Sequence, residues 1–311
     1  TVCALAGLGI LASSIAGASC LDYTDCVHWA GSFHPQLGCS DLDGFWDVIH
    51  RDNRLYATTI CSTIYIFDYS DPDDLEVIAS VDLPFFATAL ALSGGHLYVV
   101  GWYRMYVLRV QPEDLAVVAV VEGFHMPGGV ATAGDHLFVA DTDTFYALDI
   151  SDPGAPRRVG AVSIGNSGPE DLAIAGHLAY LPTFTRGLLV VDISRPTGMA
   201  VVAQAETPSW LYGVEVENSS IYAAGAGGLL VGNTGHPPDS LPSSLALRPY
   251  GTSFTGMLCI DVDGTRAALA TFDVFVALDL TTPVAGQARA WAKAIVPDGW
   301  GQGTCIVGDY A

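Results

Sequence analysis

The stretch GGVATAGDHLFVADTDTFYALDISDPGAPRRVGAVSI, residues Gly128 to Ile164, decides the fold. GGVATAG reads as a first strand, with Asp135 in the turn behind it. HLFVAD is a second strand, Thr142 to Thr144 a short loop, FYALDIS a third strand, DPGAP a turn and RRVGAVSI a fourth strand. The runs are short and rich in Val, Ile, Leu, Tyr and Phe, and Gly, Asp and Pro punctuate them, as in strands joined by tight turns. No stretch sustains a helical period. Outward from this unit, the same order recurs. The aromatic of the second strand returns as Tyr56, Tyr98, Phe138, Tyr180 and Tyr222, with Ala268 in the sixth place, at spacings of 42, 40, 42, 42 and 46. The polar end of the third strand returns as Asp68, Arg109, Asp149, Asp192, Asn233 and Asp279, at spacings of 41, 40, 43, 41 and 46. Two independent markers share one period, and a period of that size with four short strands per unit belongs to a propeller blade.

The chain ends extend the count. DCVHWAGSF (Asp25 to Phe33) resembles a fourth strand, and WGQGTCIVGDYA (Trp300 to Ala311) begins a further copy. Propellers commonly close by building the last blade from both chain ends, which removes free sheet edges. The expectation is therefore an all-β propeller of seven blades of four antiparallel strands. Residues 20–311 form it, as six full repeats plus a partial seventh, with the last blade truncated.

Residues 1–19, TVCALAGLGILASSIAGAS, carry no charge and read as a signal-peptide-like apolar segment. Ala16-Gly17-Ala18 fits cleavage and secretion, whereas Ala18-Ser19-Cys20 resembles a lipobox with Cys20 as the lipidated residue. A retained membrane anchor is a third reading. The protein is thus expected to be exported, as an outer-membrane or periplasmic lipoprotein or in secreted form. Export permits disulfides, with Cys26, Cys39 and Cys61 as candidates. Cys259 and Cys305 occupy equivalent first-strand positions and are expected to be small core residues.

Of the 311 residues, 12 are Lys or Arg and 33 are Asp or Glu, a net charge of −21. Such a surface repels phosphate backbones, so nucleic acid is not an expected partner. The only expected contact with a membrane is a lipid anchor at Cys20.

Several residue sets invite a chemical reading. Asp68, Asp149, Asp192 and Asp279 recur like a metal site, but an Asp opening a proline turn holds that turn by accepting backbone N–H groups. His96, His136 and His177 sit one per blade, too dispersed for a catalytic set. Asp41-Leu42-Asp43-Gly44 and Asp261-Val262-Asp263-Gly264 have calcium-loop spacing without the downstream Glu, so no cofactor is assigned and calcium stays open. No nucleophile elbow, zincin motif or phosphate loop is present.

The best functional hint is geometric. The loops from strand four to the next strand one, and from strand two to strand three, share the face around a propeller's channel. Here they carry Phe45, Trp46, Trp102, Tyr103, Phe124, His125, Phe184, Trp210, Tyr212 and Trp300, and strand one adds Asp47, Glu170 and Asp171. Rings with a few acids can grip a glycan, a peptide or a cation. The expected ligand-binding set is Trp46, Asp47, Trp102, Tyr103, His125, Glu170, Asp171, Trp210, Tyr212 and Trp300.

LAYLPTFTRGLLVVDISRP (Leu178 to Pro196) and HLFVADTDTFYALDISDP (His136 to Pro153) resemble the bacterial LVIVD repeat family, over about residues 25 to 311. The second, fifth and sixth copies depart from it at Arg109, Asn233 and Leu280-Thr281-Thr282. The resemblance implies a cell-envelope or secreted propeller, often lipid-anchored, with no assigned reaction. Two functions are therefore expected to compete. One is a non-catalytic binding or scaffold propeller facing a protein or glycan. The other is a metal-assisted hydrolase or lyase using Asp47, Glu170 and Asp171, with Arg104 and His125 as basic partners.

Overall fold

The computed structural model describes residues 45–71, 74–234, 245–250, 256–271, 274–280 and 289–295. They form an all-β propeller of six four-stranded antiparallel sheets. Blade one holds β1 (Phe45–Arg51), β2 (Arg54–Thr59), β3 (Thr63–Asp68) and β4 (Glu76–Asp82). Blade two holds β5 (Ala87–Ser93), β6 (His96–Gly101), β7 (Arg104–Val110) and β8 (Leu115–Glu122). Blade three holds β9 (Gly129–Ala133), β10 (His136–Ala140), β11 (Thr144–Asp149) and β12 (Arg157–Ser163). Blade four holds β13 (Ala173–Ala175), β14 (Leu178–Thr183), β15 (Gly187–Asp192) and β16 (Ala200–Ala205). Blade five holds β17 (Leu211–Glu217), β18 (Ser220–Gly225), β19 (Gly228–Asn233) and the two-residue β20 (Arg248–Pro249). Blade six holds β21 (Met257–Asp263), β22 (Arg266–Thr271), β23 (Val274–Asp279) and β24 (Arg289–Ile295). The described residues thus form six blades where seven are expected; Asp25 to Phe33 and Trp300 to Ala311, assigned from sequence to the seventh, lie outside them. Residues 1–19 and Cys20 do so as well.

The repeating aromatic has a plain structural cause. The core is a series of layers between consecutive blades rather than one central mass. Tyr56 packs in the seam of blades one and two, Tyr98 in that of two and three, Phe138 in that of three and four, and Tyr180 in that of four and five. Tyr222 lies partly buried in the fifth seam, where Ala268 is the next blade's counterpart. In the first five blades one large ring fills the wedge that opens as twisted sheets fan out around an axis. A bulge in the pairing of strands three and four, as at Ala147/Leu148 and Val190/Val191, adds to that twist.

The turn aspartates do what their spacing predicts. Asp68 accepts the Ser70 N–H at 2.7 Å, Asp149 the Ser151 N–H at 3.0 Å and Asp192 the Ser194 N–H at 2.8 Å. In the Asp261 to Gly264 string, Asp263 pairs with Arg266 at 3.4 Å beside Gly264, whose φ is 61°. That string is the end of β21 and its turn.

Candidate functional site

The innermost strands β1, β5, β9, β13, β17 and β21 line the propeller axis, so every blade contributes its first strand to the channel wall. A cavity of about 310 Å³ opens there. Its wall includes Trp46 and Asp47 from blade one, Thr88 and Ala89 from blade two and Gly128 beside β9. Glu170 and Asp171 ahead of β13, Tyr212 and Glu215 from blade five, and Cys259 and Asp261 from blade six complete it.

Strand pairing explains which side chains reach it. Pairing aligns Ile49, Ala91, Ala131, Ala173, Glu215 and Asp261, each opposite the second-strand ring position. Two residues earlier stand Asp47, Ala89, Gly129, Asp171, Gly213 and Cys259, on the same side of each strand because strand side chains alternate. Bulges at Phe45/Asp47, Ala87/Ala89, Leu211/Gly213 and Met257/Cys259 sit at the mouth and leave Trp46, Thr88, Tyr212 and Leu258 as the extra residues. A bulge re-aims a side chain, which is how Trp46 and Tyr212 come to face the mouth.

Two of the acids clasp neighbouring blades. Asp47 accepts the Val48 N–H at 2.8 Å through one carboxyl oxygen and the Leu90 N–H of blade two at 2.8 Å through the other. Asp171 repeats the device, with the Leu172 N–H at 2.7 Å and the Val214 N–H of blade five at 2.9 Å. Between them, Gly129 meets the next blade so closely that a Cβ would lie 2.6 Å from the Asp171 carbonyl carbon. The ring position therefore takes either a residue small enough to permit contact or an acid that reaches across.

The acids lose ionisation readily. Burial pushes Asp47 up to about 7, against the opposing pull of the Leu90 and Val48 amides and with help from the Asp171 charge. Burial likewise pushes Asp171 up to about 6 despite its two amides, with Asp261 adding repulsion. Glu215 rises to about 8, first by burial and then by Asp261 and Asp171. Glu170 rises to about 7, first by enclosure and then by Asp171, but it stands exposed at the mouth, where water screens both effects. Burial and the three surrounding carboxylates push the Cys259 thiol upward, so it is an inert wall residue. Cys259 was expected in a core layer and lies instead on the channel wall.

The sequence-expected residues divide cleanly. Trp46, Asp47, Glu170, Asp171 and Tyr212 share the cavity. Trp102, Tyr103 and Trp210 are exposed, at 48%, 57% and 58%. Trp102 joins Trp46 through Phe86, with ring centroids 6.2 Å and 4.7 Å apart, and Trp210 joins Tyr212 through Phe184 at 5.8 Å and 5.5 Å. His125 lies off the cavity wall, with its ring 6.3 Å from Tyr103 and its N–H donated to the buried Asp141 at 2.7 Å. Arg104 pairs with Glu122 at 3.2 Å on the surface. The two basic partners expected for an enzyme thus stand apart from the channel acids. Phe45 and Phe124 are buried: Phe45 packs on Phe67, and Phe124 lies under the Arg158 guanidinium. Trp300 lies outside the described residues. Among the described residues no three His, Cys, Asp or Glu side chains are grouped as a metal cage.

Sequence reasoning passed over Glu215, Asp261 and His50 as wall residues. The signal was available: aligned first strands carry acids at two of six positions otherwise held by Ile or Ala.

No curated protein matches the chain in sequence. Among solved structures, a Bacteroides uniformis protein provisionally described as a 6-phosphogluconolactonase superposes with a TM-score of 0.68 at 16% identity, covering 78% of this chain and 82% of its own. The periplasmic gluconolactonase PpgL of Pseudomonas aeruginosa gives 0.67 at 16% identity, over 81% and 84%. A functionally unknown protein from Desulfotomaculum acetoxidans gives 0.62 at 13%, over 75% and 76%. At such identities the likeness is one of fold. Within the fold, residues 127–163 and 169–207, which span blades three and four, match the LVIVD repeat.

Proposed function

We propose that this protein is a non-catalytic LVIVD-type propeller that binds a protein or glycan partner at the bacterial cell envelope or outside the cell. The observation that carries the reading is the aromatic face. Trp102, Tyr103 and Trp210 stand exposed around a channel mouth, while Asp47 and Asp171 spend their carboxyl oxygens on backbone amides. Exposed rings grouped on one face are the ordinary signature of a binding surface. The apolar segment 1–19 supports export, and the disulfide-bonded state of Cys61 suits an oxidising compartment. Cys20 is the proposed lipid-anchor residue, tested by palmitate labelling of the wild type against Cys20→Ser. Calcium is tested separately, by thermal melting with and without the ion.

The binding reading is tested with oligosaccharide and peptide arrays. The wild type binds a ligand class that the double variant Trp102→Ala/Trp210→Ala loses, with an unchanged melting temperature. Equal binding by the variant removes the aromatic face as the site. The second reading, a hydrolase or lyase in the channel, draws on the superposition with two propellers described as lactonases. Turnover of a sugar lactone by the wild type, abolished in Asp171→Asn, would establish it instead.

A further inference from the structure

We infer that the channel mouth receives one basic side chain, lysine or arginine, of a protein partner. Its charge lies among the carboxyls of the wall and its stem against Trp46 and Tyr212. The inference rests on the aromatic-face reading and narrows it from protein or glycan to a protein that presents a cation.

Three features coincide at the mouth. The cavity of about 310 Å³ is lined from all six described blades and lies within the size range of pockets for small groups. Among the described residues its wall carries five carboxyls, Asp47, Glu170, Asp171, Glu215 and Asp261, together with His50, and no Lys, Arg, Asn or Gln. Independently of those acids, two aromatic series descend into it. Trp102, Phe86 and Trp46 form one, and Trp210, Phe184 and Tyr212 the other. Both end inside the cavity.

The chemistry of the wall selects among ligands. An anion meets like charge. A sugar can stack its C–H faces on the rings and hydrogen-bond the carboxyls, but it brings no charge to offset the repulsion among them, whereas a cation does. A bare metal ion needs three or more grouped donors, and none are grouped among the described residues. A cation on an apolar stem suits the whole wall. Rings attract a cation through their faces and cover its methylenes, and the carboxylates neutralise it.

The acids also repel one another, Asp47 with Asp171, Asp171 with Asp261 and Asp261 with Glu215. A cation among them relieves that repulsion and favours their ionised forms, so binding releases protons. Among the described residues the titratable groups facing the ligand are the five carboxyls, the Cys259 thiol, the Tyr212 phenol and His50.

The probes are three capped tripeptides, glycine-X-glycine with X as lysine, arginine or norleucine, titrated into the whole chain by calorimetry and tryptophan fluorescence. The lysine or arginine peptide is expected to bind at least about tenfold tighter than norleucine at about pH 8. That advantage should fall by about tenfold in Glu215→Gln or at about pH 5, with proton release seen as a dependence of the heat on buffer. Norleucine binding as tightly as lysine and arginine overturns the inference while leaving the aromatic-face reading standing. Array binding to oligosaccharides alone, lost in Trp102→Ala/Trp210→Ala, also overturns it and leaves that reading intact. If no peptide or oligosaccharide binds, both fall.

Discussion

Asp149 and Asp171 sit one blade apart and are held at opposite acidities. Asp149 closes an exposed turn, where the Ser151 hydroxyl and amide, with Arg157 at 3.0 Å, pull it down to about 2. Asp171 begins the innermost strand of the next blade and is pushed up to about 6. Asp149 accepts three hydrogen bonds, from the Ser151 amide and hydroxyl and from Arg157, and Asp171 accepts two, from the Leu172 and Val214 amides, so being hydrogen-bonded does not by itself separate them. Water and neighbouring charge do. The turn is solvated and has a cation beside it, whereas the channel encloses several carboxyls together, and burial outweighs the two amides. A repeat protein can thus use one residue type periodically to hold its turns and singly to build a site.

The largest way to break this comparison is at the glycine that lets blades three and four meet. Gly129→Val drives a side chain into the Asp171 backbone and is expected to cost about 3 kcal/mol or more in chemical denaturation. Gly134→Ala, in the open turn after β9, meets no atom and strains only a φ of 57°, for ~1 kcal/mol. A ratio near unity would mean that the two sites are equally tolerant and that the tight blade contact is absent in solution.

Glu215→Gln sharpens the channel side. The folded carboxyl, raised to about 8, contributes stability that is fully present below the unfolded value near 4.5 and is lost as pH rises through about 8. The wild type should therefore weaken between those limits, and the variant should be more stable by ~2 kcal/mol at about pH 8 and equal at about pH 4. Melting curves across that range check it; a variant less stable at high pH refutes the burial of a strained acid. Asp149→Ala should show the reverse sign and the smallest effect. Its depressed carboxyl contributes stability above the ordinary aspartate range that disappears as pH falls towards about 2, so the variant's slightly lower melting temperature should converge on the wild type in acid.

Much of the fold was legible because it is written in local physics repeated. The ring positions mark the seams and Asp-x-Ser marks the turns, and both are set within a few residues of the chain. The mouth residues Trp46, Asp47, Glu170, Asp171 and Tyr212 were legible by topology, since the end of a first strand always lies on that face. Glu215 and Asp261 were harder to read, because LYGVEVE and MLCIDVD alternate like any half-exposed strand. His125 and Arg104 were misjudged as partners of the acids, because a loop residue's placement is set by contacts such as that of His125 with Asp141, sixteen positions along the chain, which no rule of spacing foretells.

The sequence by itself determined the class of fold, the blade repeat and the face on which the chain carries its rings, because period and turn chemistry are local. Only the tertiary structure decided that Asp47 and Asp171 reach into the next blade, that Glu215, Asp261 and Cys259 join them on one wall, and that Phe45 and Phe124 lie buried. Hydrophobic alternation reports that one side of a strand is covered. Whether the cover is a neighbouring blade or an enclosed channel depends on how blades are placed about the axis, and that placement is also what shifts the acids.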